Sequence, residues 1–245
     1  MPDKAADKID ADSHSLSLGK NKPMAAISYV LPFCLYLLPA MLEPSDSQSA
    51  TYMLICTLKG LLATGALILF RKSYPKFSTR GFGLAVAGGI VGFGIWIGLV
   101  YAQSAVPVIH NAIISVQGTR AGFNPFVDGS PTPLQIAFTA VRLVELAIVV
   151  PLVEEIFWRG FLSRYLISDD FEKVPEGVFT TTSFLVVSLM FAAVHPEVFG
   201  AFVWGSLVNL IYIRTMNIWA CVLTHSVTNA ILGVFVLTNK AWYLW

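Results

Sequence analysis

Three clusters of ionisable and amide side chains interrupt otherwise apolar stretches of this sequence. The first, Pro151-Leu-Val-Glu-Glu-Ile-Phe-Trp-Arg-Gly-Phe-Leu, carries Glu154, Glu155 and Arg159. The second is Phe191-Ala-Ala-Val-His195, and the third His225-Ser-Val-Thr-Asn229. On a helix, Glu155 and Arg159 share a face and can pair, whereas Glu154 is rotated by about 100° and can point elsewhere. His225 and Asn229 also share a face, with side chains about 6 Å apart. Three helices could therefore aim a carboxylate, two imidazoles and an amide at one buried point. Hydrolysis of an amide needs such a set: a base to take a proton from water, a donor to hold the oxyanion, and an acid to protonate the leaving nitrogen. Each pair taken alone serves equally well as a helix-to-helix contact. The combination carries more weight, because unneeded charge in an apolar setting is costly.

The elements that must position these residues are membrane helices. Of 245 residues, 56% are hydrophobic and 13% charged, with a mean hydropathy of +0.68. A water-soluble domain is about a quarter charged, so the solvent here is largely lipid. A net charge of +1 lacks the basic excess of a nucleic-acid binder. Cys34, Cys56 and Cys221 lie in apolar runs and suggest neither a disulfide framework nor a cysteine metal knuckle. No cleavable signal peptide is expected at the start.

About 20 apolar residues cross a hydrocarbon core, and spans are expected at Met24 to Leu42, Ala50 to Phe70, Phe82 to Val106, Leu134 to Leu152 with a helical continuation to Leu166, Phe179 to His195, Glu197 to Arg214, and Ile218 to Leu237. The fold class is thus all-α, a polytopic bundle of seven helices, or eight if Pro151 splits the fourth. Residues 1–23 read as a disordered polar tail and 24–245 as a single membrane domain with a buried polar cavity. Lys4, Lys8, Lys20 and Lys22 precede the first span, and Arg71, Lys72, Lys76 and Arg80 follow the second, which puts both sides inside and the N-terminus in the cytoplasm. The loop from Pro107 to Pro133, whose only basic residue is Arg120, belongs outside.

These boundaries leave a conflict of depth. Glu154 falls toward the inner side and His195 at the outer end of its span, a mismatch of about 10 Å or more at 1.5 Å per residue. Starting the fourth span near Val141, or extending the fifth past Pro196, brings the two toward mid-depth. Other polar residues have quieter readings. Arg142 and Glu145, three apart, are expected to pair, with Lys59 joining them; the alternative is contact with a substrate carboxylate. Asn209 and Gln103 are expected to bridge helices, and His14 and His110 to lie in the tail and a loop without a role. The six tryptophans fall mostly near expected span ends or cavity-facing stretches and read as interfacial anchors, and Gly88, Gly92, Gly94 and Gly98 as small residues at a helix contact.

In order and approximate separation, Glu154-Glu155-x-x-x-Arg159, Phe191-x-x-x-His195 and His225-x-x-x-Asn229 resemble the three motifs of the CPBP intramembrane proteases, which include the CAAX prenyl endopeptidases and the bacterial Abi proteins. The resemblance covers Leu134 to Leu237. The last span, ending in Ala241-Trp-Tyr-Leu-Trp245, also resembles a bacterial branch called CAAX protease-related and associated with exosortase protein sorting. What the resemblance implies is an endopeptidase of the bacterial cytoplasmic membrane, acting near the end of a protein or peptide substrate, lipidated or not. By the same resemblance, Glu154 with His195 activates the water, His225 and Asn229 stabilise the oxyanion, and Glu155 and Arg159 support the site. Family members have been described both as metalloproteases and as glutamate-dependent enzymes. No HExxH pair is present, which favours the absence of a tightly bound metal; if a divalent metal such as zinc takes part, its ligands are Glu154, His195 and His225. Two rivals stay open: a non-catalytic scaffold or immunity protein that keeps the fold, and a proton-coupled transporter, for which no matching interrupted halves are apparent.

Overall fold

The computed structural model describes residues 22–117, 122–127 and 129–245. Residues 1–21 of the expected disordered tail, with His14, and Arg120 of the outer loop fall outside the described residues, while Lys22 and Pro23 of that tail already belong to the first helix. Eight helices follow in chain order: α1 (Lys22–Ala40), α2 (Ala50–Leu69), α3 (Phe82–Ser104), α4 (Pro107–Gln117), α5 (Pro133–Tyr165), α6 (Thr181–Ala193), α7 (Val198–Thr215) and α8 (Ile218–Asn239). No strand occurs among the described residues. Helices α2, α3, α5, α7 and α8 are long and apolar enough to cross a membrane, while Ala25–Ala40 of α1 and all of α6 are shorter apolar helices. Large apolar side chains such as Leu54, Leu61, Ile90 and Ile148 point outward and are exposed, as in a bundle whose exterior meets lipid rather than water. The chain is an integral membrane protein.

One departure from expectation and one point left open by the sequence matter for the site. The segment from Pro107 to Pro133 is not simply a loop, because residues 107 to 117 form α4, and His110 lies on that helix. The fourth span, expected to continue as a helix to Leu166 unless Pro151 split it, is one helix of 33 residues. Pro151 does not split it because a π-helical turn, Glu145–Val149, comes just before. There Val150 donates its N–H to the Glu145 carbonyl, five residues back. The same register at the next position would require an N–H that Pro151 lacks, so the Leu146 carbonyl loses its intrahelical donor. Asn229 Nδ2 of α8 supplies one at 2.8 Å. A second π-helical segment, Ile156–Leu162, follows the motif carboxylates. The turn carrying Glu154 and Glu155 is thus bracketed by two widened turns of a kind that is rare in helices and frequent at functional sites.

The depth conflict is resolved by α6. Its 13 residues rise about 20 Å, short of a hydrocarbon core about 30 Å thick. His195 consequently sits in the turn between α6 and α7 rather than at the end of a full crossing. Neither proposed boundary change occurs: α5 starts at Pro133, not Val141, and α6 ends before His195 instead of continuing past Pro196. Gln103 of α3 donates to the Pro196 carbonyl at 3.3 Å and holds this turn.

The core around these elements has α3 against α7 and α8, α6 against α7, and α1 against α2 and the motif end of α5. The expected small-residue contact is real but covers only half of the glycines. Gly88, Gly89 and Gly92 face α7 and α8, whereas Gly94 and Gly98 meet open space. A Cβ on Gly89 would lie 2.8 Å from the Thr224 carbonyl oxygen and 2.7 Å from Val227 Cβ. Gly89→Ala must therefore push α3 off α8 and is expected to destabilise by about 1–3 kcal/mol, read as a lower midpoint in detergent unfolding. Gly94→Ala should leave that midpoint unchanged. On the side of the α5 to α6 connection, Arg164 donates to the carbonyls of Gly160, Glu172 and Val174. Glu176 in that connection accepts the Ile218 N–H at 2.7 Å and caps α8. Burial pushes its carboxyl above the ordinary carboxylate range, partly offset by that N–H.

Candidate active site

All four residues expected to act on substrate line one cavity of about 540 Å³: Glu154 from α5, His195 from the α6 to α7 turn, and His225 and Asn229 from α8. Glu155 and Arg159 stay out of it, fully buried behind it. This separation is the one anticipated from a 100° turn between adjacent helical residues.

Behind the cavity, Glu155 and Arg159 pair at 3.0 Å. Arg159 spends its remaining donors on Asn209 Oδ1 at 3.1 Å and the Gly205 carbonyl at 2.9 Å, both on α7. Asn209 in turn donates to Ser188 Oγ at 3.0 Å and the Phe184 carbonyl at 3.3 Å, both on α6. One buried network thus joins α5, α6 and α7. It also reaches α8, because His225 Nδ1 lies 2.8 Å from Glu155 Oε1. Spacing alone could not reveal that last bond. It fixes the ring and leaves Nε2 as the nitrogen not engaged by Glu155.

Glu154 differs sharply from its neighbour. Its Oε2 is buried and has no hydrogen-bond partner. A carboxylate oxygen without a donor is costly to bury, and such exceptions in a folded protein call for an explanation. Opposite it, His195 Nδ1 lies 2.7 Å from the Phe191 carbonyl oxygen, the last turn of α6 orienting its own motif histidine. Phe191 stacks on His195 with centroids 4.3 Å apart and on Trp204 at 5.2 Å. Trp204 meets the edge of His225 at 4.5 Å, and Trp96 meets His195 at 5.7 Å.

These rings show that four of the six tryptophans belong to the cavity wall or the core behind it and are not interfacial anchors. Trp96, Trp204 and Trp245 line the cavity, and Trp158 is buried behind it. Their periodicity on long apolar helices gave no signal separating a cavity wall from a lipid interface. The same aromatic wall bears on a metal. Among the described residues no three His, Cys, Asp or Glu side chains gather into a metal-holding group, so Glu154, His195 and His225 do not fit the three-ligand zinc site in this geometry. Each histidine has Nδ1 engaged, one by a backbone carbonyl and the other by Glu155, a second contact that metal-bound histidines also make, so the spacing of the three groups and not this engagement decides the fit.

The far end of the cavity contains a second polar group that the motifs do not cover. The expected Arg142 and Glu145 ion pair is not formed. Arg142 instead donates to Tyr52 Oη at 2.9 Å and points at Cys56 Sγ at 3.6 Å, both on α2. Lys59 pairs with Glu43, from the connection between α1 and α2. Glu145 packs against Gly60, where an added Cβ would overlap its Oε1. Side chains from α1, α2 and α3, including Tyr36, Tyr52, Lys59 and Phe93, therefore help to enclose the site, although no motif marks those helices. Lys59, a charge in mid-span, was the only sequence signal for them.

Residues 136–231 match the family model described as Rce1-like, type II CAAX prenyl endopeptidase Rce1-like. The match begins within α5, ends within α8 and contains all six motif residues; α1 to α4 lie outside it. Among curated proteins and among solved structures nothing matches the chain. The matched segment supplies Glu154, both motif histidines and the amide around a shared cavity, with Glu155 behind it, and over residues 136–231 the chain is similar to the type II CAAX prenyl endopeptidases of the Rce1-like family.

Proposed function

We propose that this protein is an intramembrane endopeptidase that cleaves a protein or peptide substrate near its end, using water activated by Glu154. The observation that carries the reading is the unpartnered, buried Oε2 of Glu154 on the wall of a cavity that His195, His225 and Asn229 also line. A carboxylate oxygen with no protein donor is available to accept a proton from water. His195, oriented through Nδ1 by Phe191, helps to seat that water. Attack on the scissile carbonyl moves the water proton to Glu154 and the negative charge to the carbonyl oxygen. Asn229 has two amide hydrogens, one of them committed to Leu146, and the other is available to the oxyanion. His225 joins it through Nε2, which donates when the ring is protonated and Nδ1–H is held by Glu155. Collapse of the intermediate breaks the carbon to nitrogen bond, and Glu154 returns its proton to the leaving amine.

The charge pattern of the loops supports a cytoplasmic N-terminus, in a bacterial cytoplasmic membrane. The substrate class that the family description supports is a membrane-associated protein terminus, prenylated in the family's namesakes. The test compares wild type with Glu154→Ala and His195→Ala in the native host by quantitative mass spectrometry of membrane-protein termini. Termini that vanish in both variants are expected and name the substrate. Identical termini in all three strains would overturn the reading in favour of a scaffold.

A further inference from the structure

The described arginines inside the bundle differ in how their guanidinium groups are satisfied. Arg159 pairs with Glu155 and bonds Asn209 and Gly205. Arg164 has no carboxylate, yet Nε, Nη1 and Nη2 each donate to a backbone carbonyl. Both are completed structural groups. Arg142 is not: Nη1 reaches Tyr52 Oη and Cys56 Sγ, while Nε is buried with no partner. Among the described residues no carboxylate bonds to it. Its charge is held instead over three rings, with the guanidinium carbon 5.7 Å from the centroid of Tyr52, 5.8 Å from Phe138 and 5.3 Å from Trp245. Ring faces attract a cation but do not satisfy its N–H donors.

Arg142 lines the same cavity as Glu154. Of the other charged groups at that end, Lys59 holds Glu43, while Glu145 packs against Gly60 and forms no ion pair with Arg142. An incomplete planar cation, pre-oriented by aromatic walls in a low-dielectric setting, is suited to bidentate capture of a carboxylate. We propose that Arg142 anchors a subsite for the free C-terminal carboxylate of the substrate, at the end of the cavity remote from Glu154. This rests on the protease reading for which bond is cut, but the binding site is defined by Arg142 itself. The two residues stand on one helix, twelve positions apart. That is about 18 Å of rise, or about five extended residues, less whatever the two side chains reach toward each other. The helix therefore acts as a ruler, admitting a short C-terminal segment between the scissile bond and the anchor and excluding long internal loops.

The probe is N-acetyl-tetraleucine as the free acid and as its C-terminal amide. Both are titrated into the full-length Glu154→Gln protein in lipid nanodiscs, with empty nanodiscs subtracted. The acid is expected to bind at least tenfold more tightly than the amide. Adding Arg142→Gln should remove that difference by weakening the acid alone, and Arg142→Lys should restore part of it. Equal binding of acid and amide with Arg142 intact, a difference that persists in Arg142→Gln, or no binding of either peptide at 1 mM would each overturn the proposal. Binding is read without cleavage, so a failed subsite and a failed protease reading give different results: the first appears here and the second in the comparison of host termini.

Discussion

In purified protein reconstituted in nanodiscs, Glu154→Gln is expected to lower kcat/KM on the substrate peptide by about 10²- to 10⁴-fold, the range associated with losing a general base, while leaving the unfolding midpoint close to that of wild type. The two halves of this expectation have separate origins. The amide keeps the shape of the carboxyl, but it cannot take a proton from water. No ion pair or protein donor to Oε2 is lost, because none is present, and an uncharged group is cheaper to bury than a carboxylate. Glu155→Gln, one residue away, should behave differently. It removes the negative charge between Arg159 and His225 and so lowers stability along with activity. Kinetics and detergent unfolding on the two variants separate them. Full activity in Glu154→Gln, or a shared stability loss in both variants, would refute the division of labour between the adjacent carboxylates.

The spatial separation behind that expectation was legible in the sequence, because it follows from helix geometry at Glu154, Glu155 and Arg159 alone. The same holds for the membrane setting, which composition dictates, and for Asn209, whose polarity in an apolar run marked it as a bridge. Three features were not legible. His225 bonding to Glu155 is a contact across seventy positions, and no local spacing encodes it. The placement of His195 depends on α6 stopping after 13 residues, where an apolar count sees only a continuous span. The continuity of α5 through Pro151 depends on a π-helical turn and on an amide from another helix, so the local rule for proline left open a choice that tertiary contacts decided. Arg142 and Glu145 failed for a related reason. Spacing of three permits a pair, but Tyr52 and Trp245, distant in sequence, supplied competing surroundings for the guanidinium.

The second large effect is expected at Arg159, and it falls on stability. Arg159 and Glu155 have no solvent exposure. Arg159→Met leaves the Glu155 carboxylate buried with only His225 against it, and should cost about 3–5 kcal/mol, the usual penalty for stripping one partner from a buried pair. Asn209 Oδ1 also loses its donor. A buried pair replaced on both sides by apolar residues of similar size is often close to neutral, so Glu155→Leu combined with Arg159→Met should regain most of the lost stability, short of the share owed to Asn209, the Gly205 carbonyl and His225 Nδ1, which all lose a partner. Unfolding midpoints of the two single variants and the double variant form a cycle that isolates this coupling. Activity should not return with stability. The double variant has no carboxylate to hold His225 Nδ1, so the ring is free to turn away from the cavity even in a well-folded bundle. A stable but inactive double variant would identify the network as the support of His225. Recovered activity would mean that α8 alone orients the ring, and a double variant no more stable than Arg159→Met would mean that charge compensation is not what the network contributes.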